Sequence, residues 1–157
     1  MKSYLILIGK TDKSWLKKGI EEYLTRISKY ISFEIILLED VKNKAKMPEL
    51  TVKNKEGEII LKKIQPNDVM ILLDEKGEKL SSKDFAKFIQ RQMNSSVRNI
   101  YFVIGGAYGF SQKVYERGNY MISLSKMTFS HQIARLIFAE QFYRTLTIIN
   151  NEQYHHE

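Results

Sequence analysis

The sequence contains no cysteine. That removes disulfides and thiolate chemistry, and it suits an intracellular protein, because disulfides mark oxidising compartments. No apolar run approaches the roughly 20 residues that span a bilayer, so no membrane segment is expected. The first apolar run, Tyr4 to Ile8, has strand length and polar residues follow at once. No signal peptide is expected from it, and a cytoplasmic location is. The G-x-G-x-x-G fingerprint is missing after the first strand, and no lysine completes a Walker loop, which sets aside dinucleotide and P-loop chemistry. A G-x-S-x-G elbow is also missing, although a dispersed Ser-His-Asp triad stays open. His131, His155 and His156 lack metal-ligand spacing, so no metal is expected. No repeat or long linker divides the chain, and residues 1–157 read as a single domain.

What the chain does have is basic charge. Lys and Arg number 25 against 18 acidic residues, a formal net charge of +7. Such a balance favours an anionic partner, nucleic acid being the commonest, while a mildly basic enzyme without a polyanion stays open. Hydrophobic residues make up 43% and charged residues 27%, values of an ordinary globular protein.

Strand and helix signals alternate along the chain. Ser3 to Ile8 reads as a strand, and Asp12 as the cap of a helix in which Trp15, Leu16, Ile20, Tyr23, Leu24 and Ile27 recur at helical spacing. Phe33 to Leu38 is a second strand. Residues 40–58 are lysine-rich, include Pro48 and Gly57, and read as an exposed loop and the start of a helix running through Ile59, Ile60 and Ile64. The lysines suit phosphate contact or a solvated helix face. Asp68 to Leu73 is a third strand, Asp74 to Gly77 a turn, and Ser81 or Ser82 caps a helix holding Phe85, Phe88, Ile89 and Met93. The pattern implies an α/β fold with a mainly parallel sheet flanked by helices.

The most informative stretch runs from Asn99 to His131. Ile100 to Ile104 is a continuous apolar run closed by Gly105-Gly106, as in a strand covered on both faces. Tyr120 to Leu124 is a shorter strand that opens into Ser-Lys-Met-Thr-Phe-Ser. Two strand ends meeting in glycine- and serine-rich loops form the kind of crevice where open α/β sheets bind ligands. A helix from about His131 to Ile149 follows, apolar over much more than one stripe and interrupted by Arg135, Glu140 and Arg144. Such a helix is expected to be buried nearly all round, and a second subunit packed on it explains that burial. The charges alternatively face water, with Glu140 and Arg144 spaced to pair.

Phe-Val-Ile-Gly-Gly-x-x-Gly, Ser-Leu-Ser-Lys-Met-Thr-Phe-x-His-Gln, Glu-Gln-x-Tyr-Arg and a terminal Tyr-His occur in this order. With Gly9 and Leu-Asp-x-x-Gly at residues 73–77, the combination resembles the ribosomal RNA large subunit methyltransferase H family across essentially the whole chain. The resemblance implies a homodimeric SPOUT-type enzyme with a C-terminal trefoil knot. It also implies methyl transfer from S-adenosylmethionine to N3 of a pseudouridine in 23S rRNA on the assembled ribosome. By similarity, Leu73, Gly105, Leu124, Ser125, Lys126, Met127, Thr128 and Phe129 line the cofactor site. In residue terms alone, core packing is the default reading of Met127 and Phe129, and the motif context reverses it.

His155 is the candidate for handling the N3 proton or orienting the base, with Tyr154 as a stacking or hydrogen-bonding partner. Chain ends are commonly disordered, which is the alternative for this tail. Arg135 suits substrate phosphate or the partner subunit. Two residues depart from the family pattern. Ser130 stands where proline is common, which implies a looser entry into the last helix. His156 stands where a basic residue is common, and its partial charge weakens any anion contact. The competing class is a non-catalytic basic dimer that docks on the ribosome, but docking alone has no need of a cofactor crevice.

Overall fold

A computed structural model of the chain describes residues 1–154, so His155 and His156 lie outside the described residues. In chain order the elements are β1 (Lys2–Ile8), α1 (Ser14–Ile27), β2 (Phe33–Leu38), a 3-10 turn (Lys44–Lys46), α2 (Glu49–Leu61), β3 (Val69–Lys79), α3 (Ser82–Met93), β4 (Asn99–Ile104), α4 (Gln112–Arg117), β5 (Tyr120–Ser123) and α5 (His131–Ile149). The strands form one sheet in the order β2-β1-β4-β3-β5, every pair parallel. All five strands therefore point their C-terminal ends to the same edge.

Side chains alternate across a strand, so apolar runs such as Leu5 to Ile8 and Ile100 to Ile104 must be covered on both faces. Leu5, Leu7, Ile71, Phe102 and Ile104 pack with Ile27, Phe85, Ile89, Phe138 and Phe142, which puts α1, α3 and α5 on one face. Ile6, Ile8, Met70, Leu72 and Val103 pack with Ile60 and Val114, which puts α2 and α4 on the other.

Several local expectations are overturned. Asp12 does not cap α1; Lys13 holds that position and makes no side-chain cap bond. The Asp12 N–H instead donates to Gln132 Oε1 at 3.1 Å, which ties the loop after β1 to α5. Trp15 lies outside the buried stripe of Leu16, Ile20 and Ile27 and is 58% exposed. α2 runs from Glu49 to Leu61, so its start falls within residues 40–58 as expected, but it ends before Ile64. Its buried face is Val52, Glu56, Gly57 and Ile60, so two of the four inward positions carry no apolar signal. Residues 74–77 do not end β3. They bulge out, after which Glu78 and Lys79 resume pairing with Ile122 and Ser123 of β5. α4 was not expected, since only Val114 of its six residues is buried.

α5 follows its expected bounds, but the cause of its burial differs. It lies between α1 and α3 over the sheet, so its flanks are covered within the chain. Ile133, Leu136, Ile137 and Ile148 stay half-buried on its outer side. Ser130 is the N-cap of α5 and its Oγ accepts from the Ile133 N–H at 3.3 Å. Its φ of −61° is also the value that proline would impose, so the entry is ordered without proline.

Candidate functional site

At the C-terminal edge of the sheet, the ends of β3, β4 and β5 open into a cavity of about 670 Å³. That volume falls within the roughly 300–1,000 Å³ usual for small-molecule sites. Leu73, Ile104 and Leu124 supply apolar walls from the three strand ends. The loop after β4 forms a second wall from Gly105 to Phe110. It folds back on itself, with the Gly109 N–H donating to Gly106 O at 3.1 Å. Gly109 has φ +78°, a conformation that L side chains rarely adopt. A Cβ at Gly105 would stand 3.1 Å from Phe110 Cε1 and 3.3 Å from the Gly109 carbonyl carbon, so the wall is already tight there.

The third wall is the loop from Ser123 to Ser130. Ser123 Oγ donates to Ser125 O at 2.8 Å, and the Met127 N–H donates to Ser125 Oγ at 2.9 Å, which holds the turn in shape. Thr128 Oγ1 donates to Glu75 Oε2 at 2.8 Å and joins this loop to the bulge of β3. Met127 is 76% exposed, so its side chain is part of the rim and not of the core.

Acidic and aromatic groups face the cavity from β3 and α4. Tyr115 donates to Asp74 Oδ2 at 2.7 Å, while Asp74 Oδ1 accepts the Lys76 N–H at 2.9 Å. Burial first, and then the bond and charge of Asp74, push the Tyr115 hydroxyl up to about 12, so it stays a donor at neutral pH. His131 lines the cavity from the start of α5. Burial, followed by the positive charges of Arg135 and Lys44, lowers its pKa, so the ring is held toward its neutral form.

The lining thus brings together Leu73, Gly105, Leu124, Ser125, Met127, Thr128 and Phe129. Lys126 is exposed and outside the lining. Arg135 is also outside it: the side chain is 1% exposed and its Nη2 donates to Ile8 O at 2.6 Å, its Nη1 to Thr11 Oγ1 at 3.0 Å. In this chain the guanidinium braces the end of β1 against α5. Arg135→Met keeps the volume but strips the Ile8 carbonyl of its donor, and should lower the unfolding free energy by about 1–3 kcal/mol in urea titration. An unchanged midpoint would show that these two bonds carry no net stability.

Tyr154 packs edge-on against Tyr143, with ring centroids 4.7 Å apart, and the Arg144 guanidinium lies 4.9 Å above its ring. Its hydroxyl reaches Glu140 Oε1 at 3.4 Å. Glu140 is six residues beyond Ala134, the last cavity residue of α5, or about 9 Å along the axis at 1.5 Å per residue. Tyr154 therefore docks beyond the part of α5 that lines the cavity of its own chain. Sequence reasoning missed Glu56, Tyr115 and the Asp74–Glu75 pair at the cavity. Only the Leu-Asp-x-x-Gly stretch signalled any of them. Among the described residues no cluster of His, Asp or Glu is arranged to hold a metal ion.

The comparisons with known proteins bear on this site. Residues 1–155 match the model of a family described as "Predicted SPOUT methyltransferase". The chain is 50% identical over 157 residues to Ribosomal RNA large subunit methyltransferase H of Parabacteroides distasonis, covering 100% of both chains. It belongs to this methyltransferase family. Within the same family, the Flavobacterium psychrophilum protein is 51% identical over 153 residues, 98% of each chain. Among solved structures, a probable methylase family protein from Haemophilus influenzae superposes with a TM-score of 0.51 at 12% identity, covering 99% of this chain and 70% of that one. That likeness is one of fold. In this SPOUT methyltransferase the cavity lies at the strand ends where the parallel sheet presents its loops.

Proposed function

We propose that this chain methylates N3 of a pseudouridine in 23S rRNA, acting on the assembled ribosome. The observation that carries the reading is the glycine-walled cavity in a chain half identical, end to end, to an rRNA large subunit methyltransferase H. The protein is an S-adenosylmethionine-dependent rRNA methyltransferase. The cavity fits that cofactor in size, in its apolar walls and in the close backbone approach at Gly105, where the cradle has no room for a side chain. When bound, S-adenosylmethionine supplies an electrophilic methyl on a sulfonium and leaves as a neutral thioether.

The chain's task is then one of positioning. Leu73, Gly105 and the 124–129 loop would hold the cofactor and orient its methyl toward N3. Transfer to N3 requires that the N3 proton leave. We assign that proton to His155, with Tyr154 stacking on or hydrogen-bonding to the base. Because Tyr154 docks beyond the cavity of its own chain, the tail serves a cavity of the second subunit in the homodimer we propose. The half-buried Ile133, Leu136 and Ile137 on α5 are the surface offered to that subunit. Arg135 anchors the start of α5 for the same assembly. A trefoil knot at the C-terminal part and a cytoplasmic location complete the proposal; no described helix is long and apolar enough to cross a membrane.

Calorimetric titration with S-adenosylmethionine, followed by mass analysis of rRNA from ribosomes incubated with protein and cofactor, tests this reading. Stoichiometric binding and one new methyl on a pseudouridine are expected. A methyl on another nucleotide would overturn the substrate, and absence of binding would overturn the site.

A further inference from the structure

Glu56 is a buried acid that no step above uses. It lies on α2 at 2% exposure, and its Oε2 has no hydrogen-bond partner. A Cβ built on Gly106 would stand 2.5 Å from both Glu56 carboxylate oxygens. The carboxyl therefore occupies the room behind Gly106 that a side chain at residue 106 would take. Gly106 itself lines the cavity, so the acid sits directly behind the glycine wall. Asp40 and Lys44, from the segment after β2, are the charged groups that face it. Lys44 donates to Asp40 Oδ2 at 2.5 Å, and its charge offsets only part of what burial and Asp40 do to Glu56. His131 feels the same Asp40 and Lys44 from the other side.

Burying an unpaired carboxyl is costly, and an apolar side chain would fill this room without that cost. What the carboxyl adds is a charge at a fixed place behind the cofactor wall. S-adenosylmethionine and its demethylated product differ only by the transferred methyl group and the positive charge that it leaves on sulfur. A fixed negative charge near the cavity separates those two and little else.

We infer that Glu56 is a positioning residue for the glycine loop whose carboxylate makes the cavity prefer the sulfonium cofactor over its neutral thioether product. The inference rests on the cavity being the S-adenosylmethionine site. Burial, reinforced by Asp40, raises the Glu56 carboxyl above the ordinary range, so its charge develops as pH rises through a window above that range. The preference for cofactor over product must rise through the same window. The ligands' own ionisations, including the α-amino group that the sulfonium makes more acidic, are the same for every protein variant and cancel when the variants' profiles are compared.

The test is that ratio, measured by calorimetry on the full chain at several pH values for the wild type, Glu56→Gln and His131→Asn. Glu56→Gln should keep only the part of the rise with pH that His131 contributes, and should lose roughly fivefold of the cofactor preference near pH 8. A merely structural role would weaken both ligands equally and leave the ratio where it was. His131→Asn should keep the rise, because His131, which also loses positive charge as pH increases, is then absent. A Glu56→Gln profile that matches the wild type overturns the inference. Should that variant fail to fold, the other two proteins decide: a rise kept in His131→Asn supports it, and a flat wild-type ratio overturns it. Failure of the wild type to bind either ligand overturns the cofactor reading instead.

Discussion

Gly105→Val should reduce S-adenosylmethionine affinity by at least about 100-fold, equivalent to about 2.7 kcal/mol, while the chain stays folded. The first added carbon already stands 3.1 Å from Phe110 Cε1 and 3.3 Å from the Gly109 carbonyl carbon. Phe110 is 5% exposed and packs edge-on against Tyr115, so it has little freedom to withdraw. The two further methyl groups of valine must then take space from the cavity or spread the glycine loop. Overpacking of this kind costs about 1–3 kcal/mol, and at a ligand wall it falls on binding. Gly105→Ala should sit between the two. Titration calorimetry reads the affinity and thermal unfolding reads the fold. Normal affinity in the valine variant would refute the assigned site.

Removal of residues 154–157 should leave cofactor affinity within about twofold and cut methylation by at least about 100-fold, the usual contribution of a positioned acid–base group. The separation follows from where the tail begins. Tyr154 docks on Tyr143, Arg144 and Glu140, and among the described residues none after Ala134 lines the cavity of the same chain. Lost contacts at that dock should cost about 0.5–1.5 kcal/mol of stability, and the fold should survive. His155→Ala isolates the proton-handling role from the docking role. Mass analysis of rRNA from treated ribosomes measures both variants. Full activity in the truncated chain would show that the tail is idle.

The sequence was most legible where burial and periodicity agree. Phe33–Leu38 and His131–Ile149 follow their expected bounds, because in each the apolar residues dominate the sequence and are bounded by polar ones. The start of α2 was blurred for the opposite reason. Its inward positions include Glu56 and Gly57, so only its C-terminal end carried an apolar signal. The stretch Asp74 to Gly77 has turn chemistry, and it does bulge. What sequence could not show is that Glu78 and Lys79 rejoin the sheet beside β5, a pairing that depends on a strand more than 40 residues later. The cofactor loop was legible through its glycines, but Tyr115 and Asp74 meet only because α4 packs over the end of β3.

By itself, then, the amino-acid order determined a parallel α/β sheet, a glycine-walled ligand crevice and the family to which the chain belongs. Those follow from local periodicity and from motifs whose spacing is fixed along the chain. Tertiary structure alone decided that Arg135 braces β1, that Tyr154 docks outside its own cavity, and that an unpaired carboxyl stands behind Gly106. Each of these depends on a contact between residues far apart in the chain, and the worth of a charge is set by its burial and its neighbours, which no linear pattern encodes.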